Sequence, residues 1–175
     1  MRNAATAGLL ALATATTLTS AQTATAPKSP PCSAAEHRQF DFWIGHWEVF
    51  TPDGKKAGDN RIEAIEGGCA LLERWSGRGG FSGISLNSWD ADARLWRQHW
   101  VDNQGGLLRL SGQLEGRRMV LGAAQPHPDK PGAMLRERIT WTPQADGSVR
   151  QWWQRSDDEG STWSTVFDGR YVKSR

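Results

Sequence analysis

Leu95-Trp96-Arg97-Gln98-His99-Trp100-Val101-Asp102 is the stretch that decides the fold. Read every second residue and the series is Trp96, Gln98, Trp100, Asp102, which share one face of a β-strand because side chains alternate across the pleat. The same period runs through Cys69, Leu71, Glu73, Trp75, through Gly83, Ser85, Asn87, Trp89, and through Val149, Gln151, Trp153, Arg155. A plain core would fill these faces with Val, Ile and Leu, since buried amides and carboxylates cost free energy unless partnered. Large aromatics mixed with a few convergent polar groups are instead the composition of a concave ligand site. Much of the chain's stock of 10 tryptophans is spent on these alternations.

Outward from these segments, turn signals recur at short intervals: Asp53-Gly54, Gly67-Gly68, Gly77 to Gly80, Asn103 to Gly106, Glu115-Gly116, Asp146-Gly147 and Glu159-Gly160. Between them lie period-two runs at His46–Phe50, Ala70–Trp75, Gly83–Trp89, Leu95–Val101, Leu107–Leu110, Met119–Gly122, Arg136–Trp141, Val149–Arg155 and Thr165–Val172. Short strands at this spacing, joined by hairpin turns, predict an all-β barrel or sandwich with minimal helix. Ser33 is placed to cap one short turn through Ala34 to His37, with Glu36 completing a capping box. Gln125 to Gly132 carries three prolines and reads as a loop near the mouth of a cup. Ser88-Trp89-Asp90…Arg97-Gln98-His99-Trp100 is echoed by Thr140-Trp141-Thr142…Arg150-Gln151-Trp152-Trp153, as expected of two similar meanders in an up-and-down barrel.

The N-terminus reads as an export signal over residues 1–26. Arg2 is followed by an uncharged Ala/Leu/Thr run and by small residues suited to cleavage. Residues 27–38 read as a linker and lead-in, and 39–175 as one barrel domain. Once the leader is removed the charge is near balance, and Lys55-Lys56 and Arg117-Arg118 are pairs rather than tracts. Nucleic acid, which wants a clustered basic face, is therefore not an expected partner. No integral membrane segment is expected after signal removal, and the protein is expected to be periplasmic or secreted. Cys32 and Cys69 are the only cysteines. In an exported chain they are most simply one disulfide, the alternative being two buried thiols or a reactive Cys69.

Phe40-Asp41-Phe42-Trp43-Ile44-Gly45-His46-Trp47-Glu48-Val49 resembles the first-strand Gly-x-Trp signature of lipocalins and the wider calycin group. Downstream segments extend the likeness to an uncharacterised family of exported, lipocalin-like bacterial proteins: Gly68 to Trp75, Gly83 to Asn87, Trp96 to Asp102, Ser156 to Trp163 and Phe167 to Tyr171. The resemblance implies a closed antiparallel up-and-down β-barrel of about 8–10 strands. It also implies that Trp47 closes the barrel base against a basic residue of the last strand, Arg170 or Lys173, through a cation–π contact, and that Trp43 plugs the same end.

On this frame the expected site is a Trp-lined cavity for a small hydrophobic or aromatic ligand. Its lining would be Glu73, Trp75, Ser85, Asn87, Trp96, Gln98, Trp100, Gln151, Trp153 and Arg155. The competing arrangement is a filled core in which Gln98 meets Gln151 and Glu73 meets Arg138 or Arg155. A second function class is an isomerase, cyclase or dehydratase using Glu73 as general acid or base, with Asp102 as the other carboxylate. A third is a protein-interaction module presenting Trp43, Trp89 or Trp163. No metal and no cofactor are expected: His37, His46, His99 and His127 have no paired spacing, and no histidine follows His127 to serve as an axial haem ligand. Asp157-Asp158-Glu159-Gly160-Ser161 lacks the order of a calcium loop and reads as an Asx-type hairpin turn.

Overall fold

The computed structural model describes residues 30–174. The expected leader, residues 1–26, and the start of the linker lie outside the described residues. Ten strands follow two short 3₁₀ turns, Ala35–Arg38 and Asp41–Trp43. They are β1 (Gly45–Phe50), β2 (Lys56–Ile65), β3 (Ala70–Gly77), β4 (Ser82–Asp90), β5 (Leu95–Asp102), β6 (Leu107–Glu115), β7 (Arg118–Pro126), β8 (Met134–Pro143), β9 (Val149–Ser156) and β10 (Ser164–Lys173). Each strand pairs antiparallel with its sequence neighbour, and β1 pairs with β10, so the sheet closes into an up-and-down barrel. Closure satisfies the backbone groups that an open edge would leave bare.

Nine strands stand where the alternation predicts them. The tenth, β2, was not predicted, because Gly58-Asp59-Asn60 in its first half carries turn residues that strands disfavour. Its alternation is nevertheless regular: Gly58, Asn60 and Ile62 are buried while Asp59 and Arg61 face solvent. Pairing on both sides, with β1 and β3, overrides the weak local preference.

The base of the barrel is a solid aromatic plug. Phe40 and Trp43 enter from the Asp41–Trp43 turn, stack at 4.9 Å, and meet Trp141 at 5.2 and 5.3 Å. Trp96 and Tyr171 complete the cluster. Trp47 is fixed twice: its Nε1 donates to the Trp43 carbonyl at 2.9 Å, and the Lys173 ammonium lies 4.5 Å from its ring centroid. Of the two candidate cations, the one over Trp47 is Lys173, which faces it directly across the β1–β10 ladder. Arg170 is one position out of phase and turns outward, where it binds Asp146 at 2.7 Å.

Cys32 and Cys69 form a disulfide that ties the lead-in to the start of β3 across 37 positions. The capping box does not form. Ser33 Oγ donates instead to the Pro30 carbonyl at 2.8 Å, and the 3₁₀ turn begins at Ala35 with no side-chain cap. A serine hydroxyl takes the nearest backbone acceptor, and the preceding proline pair supplies one. At the opposite end, the loop at 127–133 is held to the β9–β10 connection, where His127 Nε2 meets Asp157 Oδ1 at 3.3 Å. In that connection Asp158 accepts from the Thr162 amide and hydroxyl and from Ser156 Oγ, and these bonds lower its pKa to about 2. The Asx-type turn is thus present. Among the described residues no helix is long and apolar enough to cross a membrane.

Candidate functional site

Above the plug the barrel opens into a cavity of about 240 Å³. Its lining includes Glu73, Trp75, Phe81, Gln98, Trp100, Gln151, Trp153, Phe167 and Tyr171, with Leu108, Ile139 and Val166 between them. The volume is about eight times a water's share of liquid volume, room for one small organic molecule. The filled-core arrangement does not hold.

The floor is a hydrogen-bond network centred on Glu73, which is only 5% exposed. Asn60 Nδ2 donates to its Oε1 at 2.7 Å, and Ser85 Oγ donates to its Oε2 at 2.5 Å. Ser85 in turn accepts from Asn87 Nδ2 at 2.9 Å and from Gln98 Nε2 at 3.3 Å. On the other side Asn60 Nδ2 reaches the Tyr171 hydroxyl at 3.3 Å, and that hydroxyl donates to Gln151 Oε1. Glu73 has no salt bridge among the described residues. Burial pushes its pKa up, against the opposing pull of the Ser85 and Asn60 hydrogen bonds. Burial, and secondarily the Glu73 charge, holds the Tyr171 phenol well above its ordinary pKa, so it stays protonated.

The walls are aromatic and braced by polar groups on the same faces of their strands. Trp153 Nε1 donates to Glu137 Oε2, and Arg155 clamps the other oxygen of that carboxylate through Nε at 3.0 Å and Nη2 at 2.9 Å. Trp100 Nε1 donates to Asp102 Oδ2 at 3.4 Å. Trp75 packs edge-on against Phe167, with centroids 6.2 Å apart. These rings lie across glycines rather than side chains. A Cβ on Gly83 would stand 2.3 Å from Trp100 Cζ2, and one on Gly58 would stand 2.8 Å from Trp75 Cη2. Gly83→Ala is therefore expected to swing Trp100 out of the wall and to cost at least about 1 kcal/mol through overpacking. Urea melts check the stability, and a red shift of tryptophan emission checks the displaced indole.

Of the expected site residues, Glu73, Trp75, Gln98, Trp100, Gln151 and Trp153 line the cavity together. Ser85 and Asn87 lie one layer beneath, buried under the Glu73 carboxyl. Trp96, Asp102 and Arg155 are on the expected face but at other heights. A strand rises about 3.3 Å per residue, so Trp96 to Asp102 spans roughly 20 Å. Trp96 is sunk in the plug, with its Nε1 donating to Gln39 Oε1 at 3.2 Å. Asp102 ends β5, where it accepts from the Gly106 and Gln104 amides of the β5–β6 turn, and the Gly106 bond leads in lowering its pKa. It is not placed as a second carboxylate beside Glu73. Arg155 is not among the lining residues and is committed to Glu137 near the mouth. The pairings expected of a filled core are replaced: Arg138 binds Gln154 and covers the Trp163 ring at 4.1 Å.

The sequence reading missed Asn60, Tyr171, Phe167 and Phe81. Phe167-x-Gly169-x-Tyr171 alternates within a predicted strand and carried a usable signal, whereas Asn60 was hidden with β2. Of the tryptophans considered for a docking face, Trp43 is fully buried and Trp89 and Trp163 are half-buried. The exposed apolar side chains of the outer wall are aliphatic: Ile84, Leu86, Val101 and Leu107. No family model matches this chain, and no curated protein matches it.

Proposed function

We propose that this barrel is an exported protein that binds one small molecule with a hydrophobic or aromatic body in the cavity above its plug. The observation that carries the reading is the enclosure of a 240 Å³ space by Trp75, Trp100, Trp153 and Phe167 over the polar floor around Glu73. Such a cup supplies apolar area for affinity and fixed amides for orientation. The lipocalin-like kinship suggested by Gly45-x-Trp47 is supported by Lys173 over Trp47, and an oxidising compartment by the Cys32–Cys69 bond.

The test is a titration of intrinsic tryptophan fluorescence with aromatic, lipid and tetrapyrrole compounds. Saturable quenching at micromolar concentration is the expected result, with loss or weakening in Glu73→Gln. Emission that stays blue and unchanged with every compound would remove the reading. A second reading, proton-transfer catalysis, is favoured by one observation: Glu73 is a buried carboxyl on a cavity floor with its pKa raised by burial. It requires that a compound which binds be converted by the wild type and left intact by Glu73→Gln.

A further inference from the structure

The reading of the cup as a binding site leaves the polarity of its ligand open, and the charges around the cavity decide it. None of the twelve lining residues is Lys, Arg or His. The one ionisable carboxyl that reaches the cavity is Glu73, and every neighbour facing it is neutral: Asn60 from β2, Ser85 and Asn87 from β4, Gln98 from β5, Gln151 from β9 and the Tyr171 phenol from β10. The indole N–H groups of two wall tryptophans are also held by carboxylates. Asp102, two residues beyond Trp100 on the same face, has its pKa lowered and no salt bridge among the described residues, and Glu137, on the same face of β8 as Ile139, accepts from Trp153. The only cation in this set, Arg155, is bonded to Glu137.

An indole whose N–H already donates to a carboxylate has no donor left for a ligand and offers it only the π-system of the ring. Trp100 and Trp153 are both held so. A carboxylate ligand would enter this cup with no cation to receive it, which is costly in a low-dielectric site. A positive head group would find a carboxyl on the floor and indole faces on the walls, the arrangement that recognises organic ammonium ions.

We infer that the ligand class of this cup is an organic ammonium, a protonated amine or a quaternary ammonium on an apolar body, with its cationic head against Glu73 and its body between Trp75, Trp100 and Trp153. The inference rests on the proposed small-molecule function and narrows it. Binding of the cation favours the ionised carboxyl, so Glu73, to the extent that it is protonated in the empty cup, gives up that proton to solvent as the ammonium arrives. Affinity therefore falls in acid, where that proton must be displaced, and rises with pH until Glu73 is ionised in the empty cup.

Three probes with one body and different heads test this by calorimetry on the disulfide-bonded protein: 4-phenylbutylamine, 4-phenylbutanol and 4-phenylbutanoate. The amine is expected to bind at least about tenfold more tightly than the alcohol, and the carboxylate most weakly. Its binding enthalpy is expected to vary with the ionisation enthalpy of the buffer, which reports the released proton. Glu73→Gln is expected to erase the preference of amine over alcohol. Equal binding of all three, or preference for the carboxylate, would overturn the ammonium assignment and leave the cup as a binding site. Failure of all three would also overturn it, and the fluorescence titration then decides separately whether the cup binds anything. The wild-type head-group series stands alone if Glu73→Gln does not fold.

Discussion

Replacing Trp43 by alanine is expected to cost about 3–5 kcal/mol of unfolding free energy, the range for truncating a fully buried large aromatic. Trp43 has no exposed surface, and it packs on Phe40, Trp141 and Tyr171, which come from the lead-in and from strands β8 and β10. Nothing nearby is free to collapse into the gap, because β1 is pinned on both sides and the lead-in is tied down by the Cys32–Cys69 bond. The matched variant Trp43→Phe is expected to lose far less, under about 1.5 kcal/mol. Trp43 Nε1 is buried with no hydrogen-bond partner, so phenylalanine removes an orphan donor along with part of the ring. Urea melts of the two variants beside the wild type give both numbers. Equal losses would mean that Trp43 is held by something other than packing volume.

Glu73→Gln is expected to stabilise the empty protein at neutral pH, on the order of 1–3 kcal/mol, the scale for a buried polar group that is incompletely compensated. The sign follows from linkage. Burial raises the folded-state pKa of Glu73 above its unfolded value. The unfolded chain therefore releases this proton first as pH rises. The stability that the protonated carboxyl contributes is fully present below the unfolded pKa, near 4.5. It is lost as pH climbs through the folded-state value. Glutamine, which does not titrate, escapes that loss. The advantage of the variant should thus vanish in acid and grow toward neutrality, measured as a difference of chemical-denaturation midpoints across pH. A constant difference at all pH values would show that the folded-state pKa of Glu73 is not raised, its Asn60 and Ser85 hydrogen bonds offsetting the burial. Gaining stability while losing the ammonium preference is the usual mark of a group kept for function.

Much of this site was legible in the period-two pattern, and the part that was not has a definite cause. Alternation reports which face a residue occupies, and for Glu73, Trp75, Gln98, Trp100, Gln151 and Trp153 the face was enough. It carries no information on height along the barrel, so Trp96, Asp102 and Arg155 shared the face but ended in the plug, at the end of β5 against its turn, and near the mouth. Strand β2 was hidden because Gly58, Asp59 and Asn60 are chosen against local propensity. Gly58 makes room for Trp75, and Asn60 binds Glu73. The residues that broke the local rule are the ones that serve the cavity. Lys173 rather than Arg170 covers Trp47 because register, which the sequence does not display, sets which cation faces the ring.

Closure of the barrel by its first and last strands has a kinetic consequence. The β1–β10 ladder runs only from Trp47↔Lys173 to Phe50↔Arg170, and it joins segments that lie at the two ends of the domain. Its formation closes the longest loop in the chain, so it is the join expected to form last in folding and to part first in the native state. The floor of the cup crosses this join, since Asn60 on β2 and Tyr171 on β10 are bonded over the top of β1. A molecule resting on that floor would grip both lips of the seam. Amide hydrogen exchange along β1 and β10 should therefore slow on ligand binding more than exchange in β6 and β7, which makes the zip of the barrel a reporter of its occupancy.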